Sequence, residues 1–97
     1  MRKYEAMFIF LPQLEEDKLD KEIKAVEKII KDKGEGEIQV ENLGKRTFAY
    51  KVEKQNEGFY VNYTFDAPPS AILKIKEDLK HRGNILRYVL FLKEKEK

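Results

Sequence analysis

The chain has 97 residues and a nearly balanced charge: 20 lysines and arginines stand against 18 aspartates and glutamates, which leaves a formal net charge of +2. The net charge therefore says little about binding partners, and a prediction of nucleic-acid binding must depend on where the cations lie. Cysteine is absent, which excludes disulfides, thiolate metal sites and a cysteine nucleophile.

The first two predicted elements are a strand and an amphipathic helix. The apolar run from Tyr4 to Leu11 is rich in aromatic and β-branched residues and ends at Pro12, which predicts the first strand. After it, apolar residues recur three or four positions apart among charged ones, up to Gly34. This spacing predicts a helix with the following apolar face: Leu19, Ile23, Val26 and Ile30.

A long hairpin is predicted next. Residues 37–54 have an extended pattern that is interrupted at Gly44, where Lys45 and Arg46 follow the glycine. A glycine inside a strand usually marks a bulge, and the two cations give that place a charge. The polar residues 55–58 are predicted to form the turn, and residues 59–66 the returning strand.

A second helix and a last strand complete the predicted elements. Residues 68–70, Pro-Pro-Ser, begin the helix, and we expect Gly83 to end it in the left-handed conformation. Residues 85–92 read as a strand that is apolar in both registers. The pattern therefore leaves open which set faces the core: Leu86, Tyr88, Leu90 and Leu92, or Val89 and Phe91. Residues 93–97 are predicted to be a frayed tail.

The order βαββαβ predicts a ferredoxin-like fold of the α+β class, with two helices on one face of a four-stranded antiparallel sheet of order 4-1-3-2. Strands two and four are then the edges, and Gly44 lies on an edge. We expect one domain over residues 1–97. No apolar run is long enough to span a bilayer or to form a signal peptide, so we expect a cytoplasmic protein.

Alternation along strands one and three predicts their two faces. Toward the helices we expect Ala6, Phe8, Phe10, Val61, Tyr63 and Phe65. On the open face we expect Met7, Ile9, Tyr60, Asn62 and Thr64. Apolar residues on both faces of strand four suggest that something covers part of the open side, although an ordinary half-apolar sheet explains them equally well.

Catalytic and metal-binding patterns are missing from the sequence. His81 is the only histidine and is expected to be solvated at the end of the second helix. The acidic run at residues 15–17 fits the first turn of a helix, where acids interact favourably with the helix dipole. Neither a phosphate-binding loop nor a dinucleotide motif is present. We therefore expect no catalysis, no cofactor, no metal and no small-molecule substrate.

Residues 44–52, GKRTFAYKV, resemble the signature Gly-x-Arg-x-(Leu/Phe)-Ala-Tyr-x-(Ile/Val) of protein six of the bacterial small ribosomal subunit. Residues 2–5, the pair at 11–12 and residues 82–87 follow the family in order and spacing, so the resemblance covers nearly the whole chain. It implies a ferredoxin-like structural component of the 30S subunit in the cytoplasmic ribosome. It also implies binding to the central domain of 16S rRNA together with ribosomal protein eighteen.

The resemblance implies particular site residues. By motif position the RNA contacts are expected from Arg2, Lys3, Arg82, Asn84, Arg87 and Tyr88. Arg46 and Tyr50 fall in the signature, so they are expected at the edge that meets the partner protein or in holding the bulge. Because strand four lies beside strand one, the cations on both strands are expected to border one side of the sheet, where they offer charge to phosphates.

Two alternatives remain open. An RRM-like regulator of single-stranded RNA has the same element order, but it needs aromatic rings on the open face, where alternation leaves mainly Tyr60. A small enzyme of the acylphosphatase kind needs an arginine and an asparagine that converge on a phosphate. Arg82 and Asn84 are close in sequence, but they lack the expected loop before a helix.

Overall fold

A computed structural model of the chain describes residues 2–34, 36–52 and 54–93, with the side chains of residues 49–52 left undescribed. The elements are β1 (Arg2–Phe10), α1 (Glu16–Gly34), β2 (Ile38–Val52), β3 (Gln55–Ala67), α2 (Pro69–Leu79) and β4 (Ile85–Leu92). The predicted order βαββαβ is confirmed. Of the predicted tail, residues 94–97 lie outside the described part of the chain.

The four strands form one antiparallel sheet in the order β2-β3-β1-β4, which is the predicted order read from the other edge. The ferredoxin-like fold is therefore confirmed. In the centre, Phe8 of β1 lies opposite Val61 of β3 and Tyr88 of β4. Strands β2 and β4 are the edges, as predicted.

One face of the sheet packs against both helices. Strand β1 alternates as predicted, and its Phe8 and Phe10 are fully buried, as is Tyr63 of β3. The helices contribute apolar stripes to the same core: Leu19, Ile23, Val26 and Ile30 from α1, and Ala71, Ile75 and Leu79 from α2. Burial of each large apolar side chain contributes about 1.5–3 kcal/mol, so this face is the main source of stability.

Pairing with β1 resolves the two registers of β4. Tyr88 lies opposite Phe8, so Tyr88 and Leu90 face the helices and pack against the core. Val89 and Phe91 face the open side, where they are 55% and 45% exposed. The register shifts between Ile9 and Phe10, which places Ile85 rather than Leu86 opposite Phe10.

The bulge predicted at Gly44 is confirmed. The β2–β3 register shifts between Asn42 and Gly44, and Gly44 has φ of +84°, a left-handed conformation that favours glycine. The side-chain oxygen of Asn42 accepts a hydrogen bond from the Gly44 amide at 2.9 Å and fixes this kink.

Two local predictions are wrong. Helix α2 ends at Leu79, and its C-cap is Lys80 in an ordinary right-handed conformation, so Gly83 does not end the helix. Gly83 also lacks the positive φ that a left-handed cap requires. The hairpin reverses between Val52 and Gln55, which pair directly, and not over residues 55–58. The positive φ of Lys54, 69°, permits this tighter turn.

Candidate nucleic-acid interface

The predicted RNA-binding cations lie along the β1–β4 side of the sheet, but in two groups. Because β1 and β4 are antiparallel, Lys93 returns beside Lys3, and its amide donates to the Lys3 carbonyl at 2.8 Å. We call this the Lys3 end. Arg87 pairs with Ile9 and lies near Asn84, at what we call the Arg82 end. A strand rises about 3.3 Å per residue, so Lys3 and Ile9 are roughly 20 Å apart.

The Arg82 end is built on an ion pair with Glu22 of α1. Nε and Nη2 of Arg82 donate to the two carboxylate oxygens of Glu22 at 2.8 and 3.1 Å. Nδ2 of Asn84 adds a longer contact of 3.4 Å to the same carboxylate. Glu22 is only 6% exposed, whereas the Arg82 side chain is 35% exposed. The guanidinium is thus bound on one side by the buried carboxylate of Glu22, and the Arg82 side chain is partly exposed to solvent.

This arrangement keeps both groups charged. The hydrogen bond from Arg82 holds the pKa of Glu22 below its ordinary value of 4.5, against the opposing effect of burial. The same hydrogen bond raises the pKa of Arg82. A guanidinium has further N–H donors beyond the two that Glu22 takes, so Arg82 still has donors for a second anion.

Arg87 differs from Arg82 in having an exposed side chain on the open face. Across the residues that the structure describes, no hydrogen bond or ion pair holds the Arg87 side chain. With respect to these residues, its guanidinium is available to an external phosphate.

The Lys3 end carries two ion pairs made by exposed lysines. Lys3 Nζ lies 3.2 Å from Asp66, with side-chain exposures of 52% and 33%. Lys93 Nζ lies 3.9 Å from Glu5, which also accepts a hydrogen bond of 2.6 Å from Asn62. A pair as exposed as Lys3–Asp66 contributes only about 0–1 kcal/mol, so Lys3 can exchange its carboxylate for a phosphate at little cost. Glu5 is less exposed, at 19%, and the Lys93 contact to it is long. Arg2 lies exposed at the start of β1 beside them.

Tyr88 lies on the helix side of β4 and not on the open face. Its ring stacks on Phe8 with centroids 5.2 Å apart and an interplanar angle of 14°. The ring is therefore part of the packing that fixes β4 against β1.

The predicted partner-protein residues lie on the β2 edge. Arg46 is exposed opposite Gly58, and its Nε donates to the Leu43 carbonyl across the bulge at 3.4 Å. This contact fits the expected role in holding the bulge. The side chain of Tyr50 lies outside the described residues. Nearby, the Lys45 ammonium lies 5.1 Å above the ring of Phe59.

The open face also carries an apolar strip formed by Met7, Val89 and Phe91. None of the site residues predicted from the sequence belongs to this strip. Val89 lies opposite Met7 and Phe91 opposite Glu5, so the strip follows the β1–β4 pair between the two cationic ends. Phe48 extends the apolar surface over β3 with an edge-on contact to Tyr60 at 6.0 Å. The double apolar register of β4 was the signal for this surface in the sequence.

The geometry does not reproduce the acylphosphatase-like alternative. Arg82 and Asn84 do converge, but on the carboxylate of Glu22 and not on an open anion site. In the described part of the chain, no group of three or more His, Cys, Asp or Glu side chains is placed to hold a metal ion. Neither α1 nor α2, as described, is long and apolar enough to cross a membrane. The cations and the apolar strip together favour binding to a polyanion and to a protein.

Comparisons with known proteins point to one family. The family model described as Ribosomal protein S6 matches residues 3–91. Small ribosomal subunit protein bS6 of Dictyoglomus turgidum is 40% identical over 97 residues, with 99% of each chain covered. The bS6 protein of Thermosynechococcus vestitus is 34% identical, over 98% of this chain and 83% of the relative. The crystal structure of 30S ribosomal protein S6 from Thermotoga maritima has a TM-score of 0.90 and 32% identity, covering 95% of this chain and 87% of that one.

Proposed function

The chain belongs to the ribosomal protein S6 family, and from this premise we propose that it binds the central domain of 16S rRNA together with ribosomal protein eighteen. As a member of the family it is a component of the small subunit of the cytoplasmic ribosome and not an enzyme. Ribosomal RNA is accordingly its partner. What the proposal adds is the RNA domain, the protein partner and the residues that contact each.

The observation that carries the proposal is the pair of cationic ends on the β1–β4 side. Their separation of roughly 20 Å suits contacts to two backbone segments of one folded RNA, so recognition depends on RNA shape more than on sequence. A protein with such contacts needs an RNA that is already folded or that folds on binding.

We assign different roles to the predicted RNA residues. Arg87, Arg2 and Lys3 contact phosphates. Arg82 contributes the donors that Glu22 leaves unused, and Asn84 lies beside it in the same loop. Tyr88 acts through its stacking on Phe8, which sets the position of β4 and hence of Arg87.

In this proposal the partner protein covers the apolar part of the open face, around Val89 and Phe91, and leaves Arg87 at the end of that face to the RNA. Val89 and Phe91 are half-exposed large apolar residues there, and burial of such a side chain contributes about 1.5–3 kcal/mol. Arg46 at the β2 edge, with Tyr50 further along the same strand, borders the covered face. A joint surface of two proteins then presents the cations to RNA.

The salt dependence of RNA binding tests this assignment. We expect the combined change of Arg2, Arg82 and Arg87 to Ala to weaken binding to a central-domain fragment. Plotted as log affinity against log salt concentration, the slope becomes shallower by roughly 0.7–0.9 for each phosphate that the variant no longer neutralises. Lys28→Ala is the control, because Lys28 lies on α1 in an exposed pair with Asp32. Equal slopes for the triple variant and the unmodified chain would show that these arginines do not contact phosphate.

A further inference from the structure

Glu22 is the one buried charged residue among the described side chains, at 6% exposure. We propose that Glu22 is a positioning residue for RNA binding: its carboxylate holds Arg82 and Asn84 in one arrangement and so fixes the loop of residues 80–84 that leads to Arg87. The proposal rests on the proposed RNA-binding function. The Glu22 carboxylate is negatively charged and does not itself bind RNA phosphates. Its proposed role in recognition is indirect and acts through Arg82.

Burial of this carboxylate is understandable only through its partners. An isolated buried carboxylate is costly, and it becomes tolerable when it is paired and its oxygens accept hydrogen bonds. Arg82 supplies a bidentate pair and Asn84 a further donor. A bidentate pair fixes the plane of the guanidinium as well as its distance, so the remaining N–H donors point in a defined direction.

The backbone of the loop is tied down at three points around this pair. The Arg82 amide donates to the Leu79 carbonyl at 3.1 Å, and the Ile85 amide donates to the Arg82 carbonyl at 3.4 Å. The Leu11 amide donates to the Asn84 carbonyl at 3.1 Å, which joins the loop to the end of β1. Among the described residues, Glu22 is the only side chain of α1 that binds this loop. The loop therefore contacts both α1 and the end of β1 just before it leads into β4.

Exchange of Glu22 for Gln tests the proposal, because Gln has the same size and keeps an oxygen acceptor but lacks the charge. We expect Glu22→Gln to fold, as circular dichroism would show. It should bind the central-domain fragment about 3- to 10-fold more weakly, with a salt slope shallower by roughly 0.7–0.9 because Arg82 no longer stays on its phosphate.

Val26→Ala is the matched control. Val26 lies on the same helix, is fully buried and has no polar group, so its truncation lowers the stability of the fold without touching the loop. Under conditions where both variants are folded, we expect Val26→Ala to keep the affinity and the salt slope of the unmodified chain. A role of Glu22 in stability alone predicts that the two variants behave alike.

The outcomes separate the two proposals. If the unmodified chain does not bind the RNA even with ribosomal protein eighteen present, the proposed function is wrong. If it binds and Glu22→Gln binds equally well or more tightly with an unchanged slope, Glu22 does not position Arg82. Should Glu22→Gln fail to fold, Glu22→Asp keeps the charge but shortens its reach by one methylene. We then expect weaker binding with the slope retained, and unchanged affinity would overturn the proposal.

Discussion

The hydroxyl of Tyr63 donates a hydrogen bond of 2.7 Å to the backbone carbonyl of Ile23, which joins the central strand β3 to the middle of α1. The ring of Tyr63 is fully buried and meets Phe8 edge-on, with centroids 5.2 Å apart at an interplanar angle of 77°. Burial raises the pKa of Tyr63 well above its ordinary value, so the hydroxyl stays protonated and remains a donor. Helix and sheet are thus joined by a polar contact inside an apolar core.

Removal of this hydroxyl has a predictable cost. We expect Tyr63→Phe to lower the free energy of unfolding by about 1 kcal/mol, since the ring stays buried while one buried hydrogen bond is removed. Denaturant titration would measure the change. Tyr60→Phe is the control, because Tyr60 faces the open side and is only partly buried. Equal stabilities of Tyr63→Phe and the unmodified chain would contradict this role of the hydroxyl.

Gly58 is predicted to tolerate no side chain. A Cβ built there would lie 2.6 Å from Cγ2 of Ile9 and 2.9 Å from the carbonyl oxygen of Phe10, and the latter is backbone that cannot move away easily. We expect Gly58→Ala to destabilise the fold by roughly 1–3 kcal/mol, as overpacking does. Gly83→Ala is the control, because nothing lies within 4 Å of a Cβ at that position. Thermal melts that show equal losses of stability for both variants would refute the predicted overpacking.

Acid denaturation reports on Glu22. Its pKa is lowered in the fold, so the unfolded chain takes up the proton first as the pH falls. The stabilisation from ionised Glu22 is therefore complete above the ordinary value of 4.5 and is lost as the pH falls through the lowered folded pKa. We expect the unfolding free energy of the unmodified chain to fall more steeply between about pH 5 and pH 3 than that of Glu22→Gln. Parallel curves would mean that Glu22 titrates normally.

The open face gives a prediction about the partner protein. We expect the double variant Val89→Ser, Phe91→Ser to bind RNA alone as tightly as the unmodified chain does. The increase in RNA affinity caused by ribosomal protein eighteen should be at least about tenfold smaller, because two apolar side chains no longer become buried. Leu73→Ser is the control, since Leu73 is 69% exposed on α2 in the opposite layer. An unchanged gain for the double variant would place the partner elsewhere.

The fold was predictable because a strand or helix with one buried face has apolar residues at regular intervals in the sequence. Strand β1 alternates cleanly between Ala6, Phe8 and Phe10 toward the core and the open-face residues between them, so its faces follow from the pattern alone. Strand β4 is apolar in both registers, so only its pairing with β1 decides which set is buried. The bulge at Gly44 was predictable because a glycine inside a strand often marks one, and here two cations follow the glycine in an otherwise extended pattern.

The Glu22 anchor was not predictable. Glu22 is one of several acids on α1, and its burial depends on Arg82, which lies 60 residues further along the chain. Its spacing, three residues after Leu19 and four before Val26, places it at the edge of the apolar face of α1, but the sequence does not show that a cation from the other end of the chain pairs with it there. The end of α2 was wrongly predicted for a related reason: a glycine signals a left-handed cap only if the helix reaches it, and here the helix ends at Leu79.

A binding titration with a fragment of the 16S rRNA central domain, carried out with and without ribosomal protein eighteen, tests the central claim most directly. We expect weak binding by the chain alone and an affinity at least about tenfold higher with the partner, since burial of the open-face apolar strip contributes to the joint complex. Equal affinity with and without the partner, or no binding in either case, would contradict it.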